Sequence, residues 1–412
     1  MKLLITTIFL FCLFGSFAQT QNDWEKRTAF SGNKRERAIS FVVGDTGYVG
    51  MGVDTAEMTH NDLWIYIPET STWTQRASLP GSTRRNAVAV AVGNKAYVGM
   101  GADSATSWMG TILADWWEYN PVTNSWIQKS DYPGGFGFVG TSTTETYMGP
   151  GMYFGTAFEA NGKAYICGGK MGPDQYGHDL WEYDPQTDIW TRKADFPGMD
   201  RYQLSSFSID NLGYVGMGID HDLYRKDWWQ YNPQSDSWIE VSSLPGVERG
   251  ASSTFVLGQR GFVVFGTDGG FKDELWEYNP FSDSWMIRAN FPGGERKNGV
   301  AFAIGDSAYA GIGKGASGKR RNFYRYYPLL PVGLEENPES FVVYPNPTSE
   351  TLNILVTADS EYQFQLVDLK GRQVLTSSNT TFAINNLKAG VYILNIFDQK
   401  GNHLKTEKVM IQ

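Results

Sequence analysis

One phrase recurs along the chain and constrains its fold more than any other feature. An acidic residue is followed by Leu or Trp, then Trp, any residue and Tyr, and a second Trp stands nine residues after the first. Residues rich in Pro, Asn, Asp, Ser and Thr lie between the two tryptophans, as in 120–124. Such residues preset or hydrogen-bond a turn, so each copy predicts two short strands joined by a tight turn. The copies begin at Asp62, Asp115, Asp179, Asp227 and Glu274.

A second hairpin precedes each copy and ends in an aromatic, β-prone strand rich in glycine. Its six aromatic residues are Tyr48, Tyr97, Tyr165, Tyr214, Phe262 and Tyr309. Four strands at a period near 50 residues predict the blades of a β-propeller. The sixth copy ends near Tyr326 without a second Trp strand, and residues 23–27 around Trp24 fit that missing strand. The sequence therefore predicts an all-β, six-bladed propeller that the N-terminal strand closes.

The repeated aromatic, glycine and tryptophan positions of these hairpins resemble the Kelch repeat, a module also found in galactose oxidase and in sialic-acid epimerases. The resemblance covers roughly residues 22–328, and we assign 19–328 to the propeller. A copper oxidase is disfavoured. Its site needs two histidines, two tyrosines and a Cys–Tyr crosslink, and histidines are scarce in this chain, with four in all.

The tryptophans stop before the last 72 residues, and the pattern changes to alternating strands broken by Gly and Asn. Residues 329–340 contain Pro331 and Pro338 and are interpreted as a linker, and 341–412 predict a small Ig-like β-sandwich. The phrases Tyr-Pro-Asn-Pro from Tyr344, Gly-Arg at 371–372 and Ala-Gly-Val-Tyr at 389–392 occur in an order that resembles the C-terminal sorting domain of the Bacteroidetes type IX secretion system. The resemblance implies that this segment engages the secretion machinery. It places the protein outside a Gram-negative cell, secreted or on the outer-membrane surface. The alternative is an accessory domain that binds carbohydrate.

The first residues read as an export signal. Lys2 precedes a run of apolar residues, and Ser16 and Ala18 supply the small residues that signal peptidase needs, so we expect residues 1–18 to be removed. The mature chain then has no predicted membrane span and one cysteine, Cys167, which we expect to be a buried, inert thiol. The net charge of −9 gives no support for a nucleic-acid partner, and the few histidines predict neither a metal nor another cofactor.

Functional residues are expected on the propeller face that carries the connections between strands 2 and 3 and between neighbouring blades. Those connections vary in length, and residues 102–114 and 136–152 are the longest, whereas the turns on the other face are uniformly short. The same face carries an arginine at one position of five repeats, with Met152 in the remaining one. As a ligand site, this column would hold a carboxylate or phosphate. The candidate ligand-binding residues are Arg35, Arg84, Arg201, Arg249 and Arg296.

The alternative for this column is structural, because duplication copies a stabilising arginine into every blade. Asp200, Glu248 and Glu295 directly precede three of the arginines and suggest local ion pairs. The acids that open the third strand, a second repeated column, are interpreted as forming turn or backbone hydrogen bonds.

Three functions remain open. We favour a secreted or surface-displayed module that binds a glycan or a protein, rather than an enzyme. The second is a mutarotase or epimerase acting on an acidic sugar, with Glu248, Glu295, His178 or His221 as the base. The third is a purely architectural surface protein. If the arginine column binds the ligand, replacing Arg84, Arg249 and Arg296 by Ala should abolish binding and leave the melting temperature nearly unchanged.

Overall fold

The computed structural model describes residues 22–103, 111–135, 137–141, 144–148, 150–172, 174–328, 341–344, 346–356, 361–368, 372–399 and 403–412. The predicted signal peptide (1–18) and linker (329–340) lie outside these residues. The chain divides into two compact units, 1–328 and 329–412. The described residues form strands and turns, and they include no helix long and apolar enough to cross a membrane.

The described part of the first unit contains six four-stranded antiparallel sheets, which we call blades 1 to 6. From the inner to the outer strand, their bounds are, for blade 1, Ile39–Val43, Thr46–Gly50, Leu63–Ile67 and Thr72–Arg76; for blade 2, Val88–Val92, Lys95–Gly99, Trp116–Asn120 and Ser125–Lys129; for blade 3, Thr156–Ala160, Lys163–Gly172, Gln175–Asp184 and Ile189–Lys193; for blade 4, Ser205–Ile209, Leu212–Gly216, Trp228–Asn232 and Ser237–Val241; for blade 5, Ser253–Leu257, Arg260–Val264, Leu275–Asn279 and Ser284–Arg288; and for blade 6, Val300–Ile304, Ser307–Gly311, Phe323–Tyr327 and Asp23–Arg27.

The N-terminal strand supplies the outer strand of blade 6, as the sequence predicted. Asp23–Arg27 pairs antiparallel with Phe323–Tyr327, residues about 300 positions away in the chain. Each inner strand packs against the inner strands of its two neighbours, and that of blade 6 packs against that of blade 1. The blades therefore form a closed ring around a central channel.

The tryptophan of each outer strand forms a hydrogen bond with the neighbouring blade. At the closure, the Trp24 indole donates to the Ala289 carbonyl (2.9 Å), and the Asn22 side chain accepts a hydrogen bond from the Ala289 amide (3.0 Å). In blade 2, Trp126 and Asn124 hold Ala77 in the same way (2.8 and 3.0 Å). Contacts between blades thus explain why the tryptophans and turn residues recur. The sequence shows their regular spacing but not these contacts. The residues whose backbone carbonyls accept the tryptophan indole N–H are Thr28, Ala77, Ser130, Ala194, Ser242 and Ala289.

A second ring, made of backbone hydrogen bonds, closes around one end of the channel. One residue per blade, directly before the inner strand, has a positive φ and donates its amide to the carbonyl of the equivalent residue in the neighbouring blade, at 2.9–3.1 Å. The members of this mouth ring are Arg37, Asn86, Phe154, Gln203, Ala251 and Asn298. The ring fixes their backbones, so their side chains are free to differ from blade to blade.

Short hairpins stand beside the mouth ring. Arg35–Glu36 pairs with Val53–Asp54, Ile219–Asp220 with Leu223–Tyr224, and Lys314–Gly315 with Gly318–Lys319. The sequence insertion before blade 3 contains a further hairpin, Gly137–Thr141 with Thr144–Met148.

The second unit consists of two sheets with a common apolar core. Phe341–Tyr344, Thr351–Val356 and Thr381–Ala383 form a three-stranded sheet. Gln373–Ser377, Tyr362–Asp368, Gly390–Asp398 and His403–Ile411 form a four-stranded sheet. Alternate residues such as Phe364, Leu366, Leu394 and Ile396 are fully buried, which explains the period of two in the sequence.

Candidate functional site

The five candidate arginines lie beside the mouth ring but are buried in the protein. Their exposed fractions are 2 % or less. Each belongs to the connection that enters a different blade, two residues before the mouth ring, and each guanidinium extends back into its own blade. The structure therefore does not bring Arg84, Arg201 and Arg249 together around one pocket.

Each of four candidate arginines is paired with the acid that opens the third strand of its blade, an arrangement we call the clamp. In blade 2, Arg84 Nη1 and Nη2 lie 2.7 and 2.6 Å from the two carboxylate oxygens of Asp115, which also accepts the Trp117 indole at 2.7 Å. Burial opposes ionisation of Asp115, but the hydrogen bonds and charge of Arg84 hold the pKa of Asp115 below its ordinary value. The clamp pairs are Arg35–Asp62, Arg84–Asp115, Arg201–Asp227 and Arg249–Glu274.

The suggested local pairing is wrong for Asp200 and Glu248, since the neighbouring Arg201 and Arg249 pair with the acids of the third strand instead. Asp200 contacts His178, and Glu248 lies 3.6 Å from Lys226. The two repeated columns that the sequence showed separately are the two halves of one clamp, because the third strand begins beside the connection that enters its own blade. A ligand-binding role for the five arginines stays a prediction, and their burial and pairing favour the structural alternative.

Blades 3 and 6 each have half a clamp. In blade 3, Met152 replaces the arginine, and burial raises the pKa of Asp179. One carboxylate oxygen of Asp179 accepts a hydrogen bond from the Trp181 indole (2.7 Å). The other oxygen is buried without a hydrogen bond among the described residues. In blade 6, Asn322 replaces the acid and accepts from Arg296 at 2.9 Å. Burial and the nearby Arg320 lower the pKa of Arg296 to about 9.

Different side chains converge at the mouth ring. We use the term mouth cluster for Glu36, Arg37, Arg85, Asn86, Tyr153, Phe154, Lys297 and Asn298, which are ring members of blades 1, 2, 3 and 6 together with the residues directly before them. The Arg37 guanidinium lies 5.5 Å from the Phe154 ring, and that of Arg85 lies 5.9 Å from the Tyr153 ring. Below the cluster, the inner strands line a channel cavity of about 570 Å³ with Ser, Thr, Ala and Val side chains and one carboxylate, Glu159.

The mouth cluster is cationic. It contains three basic side chains and one carboxylate, that of Glu36, which accepts from Asn298 at 2.9 Å. Burial and the charge of Arg37 lower the pKa of Arg85 to about 10. Burial also lowers the pKa of Lys297, and Arg37 and Lys314 lower it further. Positive groups that repel one another in a half-buried site would be stabilised by an anion.

Two buried hydrogen-bond donors of the mouth cluster have no acceptor among the residues that the structure describes. Arg37 Nε is buried, lies 3.7 Å from a Glu36 oxygen and makes no hydrogen bond. Asn86 Nδ2 is also buried without a partner. Unsatisfied buried donors are uncommon in folded proteins and are often explained by a missing water, ion or ligand.

A run of aromatic rings extends from the mouth cluster across blades 3 and 4, and we call it the aromatic wall. Phe154 lies 5.7 Å from Tyr202, which stacks on Tyr176 at 5.1 Å, and Tyr176 meets the edge of His221 at 5.1 Å. The Lys170 ammonium sits over both tyrosine rings at 5.0 and 5.2 Å, and burial lowers its pKa. Sequence reasoning missed the mouth cluster and most of this wall, because their residues differ from repeat to repeat.

The four residues proposed as a base lie in different surroundings. His221 alone lies on the aromatic wall, with Nδ1 2.7 Å from Asp220. His178 pairs with Asp200, and Glu248 and Glu295 are exposed on other loops. Cys167 is fully buried, and burial raises the pKa of its thiol, as expected for an inert cysteine.

Comparison with known proteins now identifies both parts of the chain. Residues 342–412 match the family described as the secretion system C-terminal sorting domain, and residues 154–197 match the Kelch motif. The chain therefore carries a Kelch motif within its propeller and a secretion system sorting domain at its C-terminal end. The solved structure of YjhT covers 72 % of the chain, with 96 % of its own length, a TM-score of 0.56 and 16 % identity, a likeness of fold alone. No curated protein sequence matches the chain.

The sorting domain also assigns a location and a first partner to this Kelch protein. It is exported by the type IX system of Bacteroidetes-type bacteria and is secreted or held at the cell surface. Its C-terminal unit interacts with the secretion machinery.

Proposed function

We propose that the propeller is an extracellular binding module for a glycan, and that it holds an acidic sugar unit at the mouth cluster. The observation that carries this proposal is the excess of positive charge at the mouth, where Arg37, Arg85 and Lys297 lie with the single carboxylate of Glu36. Arg37 Nε and Asn86 Nδ2 are buried there without an acceptor among the described residues, and a carboxylate supplies acceptor oxygens together with a negative charge.

The setting of the cluster supports a small acidic ligand rather than a nucleic acid. Arg85 is 5 % exposed and Lys297 is half-buried, so their charges lie in a recess and not on a flat basic surface. The neighbouring aromatic rings fit the mixture of apolar walls and few polar groups that is usual in small-ligand sites.

Isothermal titration of the full chain with glucuronate, galacturonate, N-acetylneuraminate and the neutral sugars glucose and galactose tests the proposal. We expect at least one acidic sugar to bind, and the Arg37→Gln/Arg85→Gln variant to weaken it by about a hundredfold, because losing partners of a buried charge costs about 2–5 kcal/mol.

The matched control is Arg192→Gln, whose side chain is 58 % exposed on the outer strand of blade 3 and should leave binding unchanged. If neutral sugars bind as tightly as acidic ones, or if the double variant binds as well as the native chain, the proposal is wrong.

A second candidate function, mutarotation of the bound acidic sugar, is favoured by the position of His221. Its Nδ1 is paired with Asp220, whose other oxygen lies 2.5 Å from Arg225, and its side chain is 66 % exposed beside the Tyr176 ring. One-dimensional NMR of a freshly dissolved anomer would detect faster equilibration, which should be absent from His221→Gln if His221 is the base.

A further inference from the structure

A large groove lies on the other side of the hairpin that carries His221. The hairpin pairs Ile219–Asp220 with Leu223–Tyr224, and His221 and Asp222 form its turn. His221 contacts Tyr176 of the aromatic wall, whereas Asp222, Leu223 and Tyr224 line the groove. Its volume is about 800 Å³, and none of the mouth-cluster residues lines it.

The groove has an apolar part that is open to solvent. Met199, Leu223 and Val247 have exposed fractions of 64, 58 and 43 %, and Trp229 and Pro197 also line it. Most other exposed large apolar side chains of the propeller lie singly on outer strands and turns, so the convergence of three in one recess stands out.

The polar part of the groove offers acceptors. Asp222, Glu248 and Asp268 line it with carboxylate oxygens. The basic residues of the lining are each paired with a carboxylate, Arg201 with Asp227 at 2.7 Å, Arg225 with Asp220 at 2.5 Å and Lys226 with Glu248 at 3.6 Å. The lining therefore has no excess of positive charge to attract a second acidic unit, whereas the hydroxyl groups of a neutral sugar can donate to its carboxylates while the C–H faces of the sugar cover the apolar residues.

The groove and the aromatic wall meet at the turn of this hairpin. His221 contacts Tyr176 of the wall at 5.1 Å, and the next residue, Asp222, lines the groove. A chain that leaves the mouth cluster along the aromatic wall therefore reaches the groove at Asp222.

From this arrangement we infer that the groove is a second glycan subsite for neutral sugars, so that the preferred ligand is an oligosaccharide with an acidic unit at the mouth cluster and neutral units in the groove. This inference rests on the proposed function, because the mouth cluster sets the position of the acidic unit. The groove volume falls within the range of roughly 300–1,000 Å³ that small-molecule sites usually have.

Titration with matched pairs of sugars tests the inference on the full chain. The pairs are glucuronate with an aldotetraouronic acid (one uronate on a xylose trimer) and N-acetylneuraminate with sialyllactose. We expect the oligosaccharide of at least one pair to bind about tenfold more tightly than its acidic monosaccharide, a difference of about 1.4 kcal/mol. Leu223→Ala/Val247→Ala should remove this gain and leave the monosaccharide affinity unchanged.

The control is Ile127→Ala/Ile239→Ala, which shortens two side chains of similar exposure (58 and 57 %) on outer strands and should keep the gain. If monosaccharides bind but the oligosaccharides gain nothing, or if the groove variant keeps the gain, the groove is not a subsite and the proposed function stands. If no acidic sugar of either size binds, the proposed function itself fails, and the inference fails with it.

Discussion

Arg84 and Arg85 are neighbours in the chain, yet they belong to two different parts of the molecule. Arg84 is one of the repeated arginines and is clamped inside blade 2 by Asp115. No other repeat has an arginine at the position of Arg85, and the Arg85 guanidinium lies over the Tyr153 ring at the mouth. In blade 1, Arg35 and Arg37 divide in the same way, the first paired with Asp62 and the second placed over Phe154.

The difference between clamp and mouth shows how a repeat protein separates stability from recognition. The clamp has the same structural role in blades 1, 2, 4 and 5, so its residues recur. The mouth ring is fixed by backbone hydrogen bonds alone, so its side chains can vary and can together form one asymmetric site. Repetition therefore marks the scaffold, and departures from it mark the candidate site.

Removing a clamp arginine should have the largest effect on stability. Arg84→Ala leaves the partly buried Asp115 carboxylate without its partner, and breaking a buried pair costs about 3–5 kcal/mol, so a loss near the lower end of this range is expected. Urea unfolding followed by tryptophan fluorescence measures this loss in the propeller, since residues 341–412 contain no Trp. Arg192→Ala is the control, and as an exposed surface change it should alter the free energy of unfolding by no more than about 0.5 kcal/mol.

The same experiment decides between the two interpretations of the arginine column. The combined replacement of Arg84, Arg249 and Arg296 by Ala should prevent folding of the propeller. A variant that melts at the native temperature but no longer binds sugar would show that the repeated arginines bind the ligand. The distinction between clamp and mouth would then be wrong.

Blade 3 offers a smaller test, because it has the acid of the clamp without the arginine. The pKa of Asp179 is raised in the folded state, so its stabilising contribution is present at low pH and is lost as the pH rises through that pKa. Asp179→Asn should therefore increase the free energy of unfolding at pH 7 by on the order of 1 kcal/mol, since it removes a buried, unsatisfied charge.

The gain from Asp179→Asn should shrink as the pH falls towards 4, and paired urea titrations at several pH values measure it. An equal change at every pH would show that ionisation of Asp179 does not matter. Asp227→Asn is the contrast in a complete clamp, where the substitution should destabilise the protein at pH 7.

The smallest expected effect is the alkaline dependence of binding at the mouth. Arg85 has a pKa of about 10, and the pKa of Lys297 is lowered, so both lose charge at lower pH than an exposed arginine or lysine would. Affinity for the acidic sugar should be constant near neutral pH and fall severalfold as the pH approaches 10. Titrations from pH 7 to 10 measure this, and Arg85→Gln should flatten the profile; affinity that rises with pH would contradict a cationic site.

The repeat was enough to predict an all-β propeller with the N-terminal strand as its closing element, and the order of short phrases in residues 341–412 was enough to predict the C-terminal sorting domain. Strand periodicity, turn residues and tryptophan spacing are local signals, and they survive in a single sequence. The repeated arginines and acids were visible as well, but not their pairing, because Arg84 and Asp115 are 31 residues apart and meet only when the strands of blade 2 align.

The sequence by itself thus determined the number and kind of repeated elements and the export of the protein. Only the tertiary structure decided which polar residues are accessible to a ligand. Arg37, Asn86, Tyr153 and Lys297 come from four different blades, and no single residue type occupies either of their two positions throughout the repeats. They share one surface because closure of the ring brings the starts of all inner strands to the same end of the channel, a long-range constraint that no local pattern records.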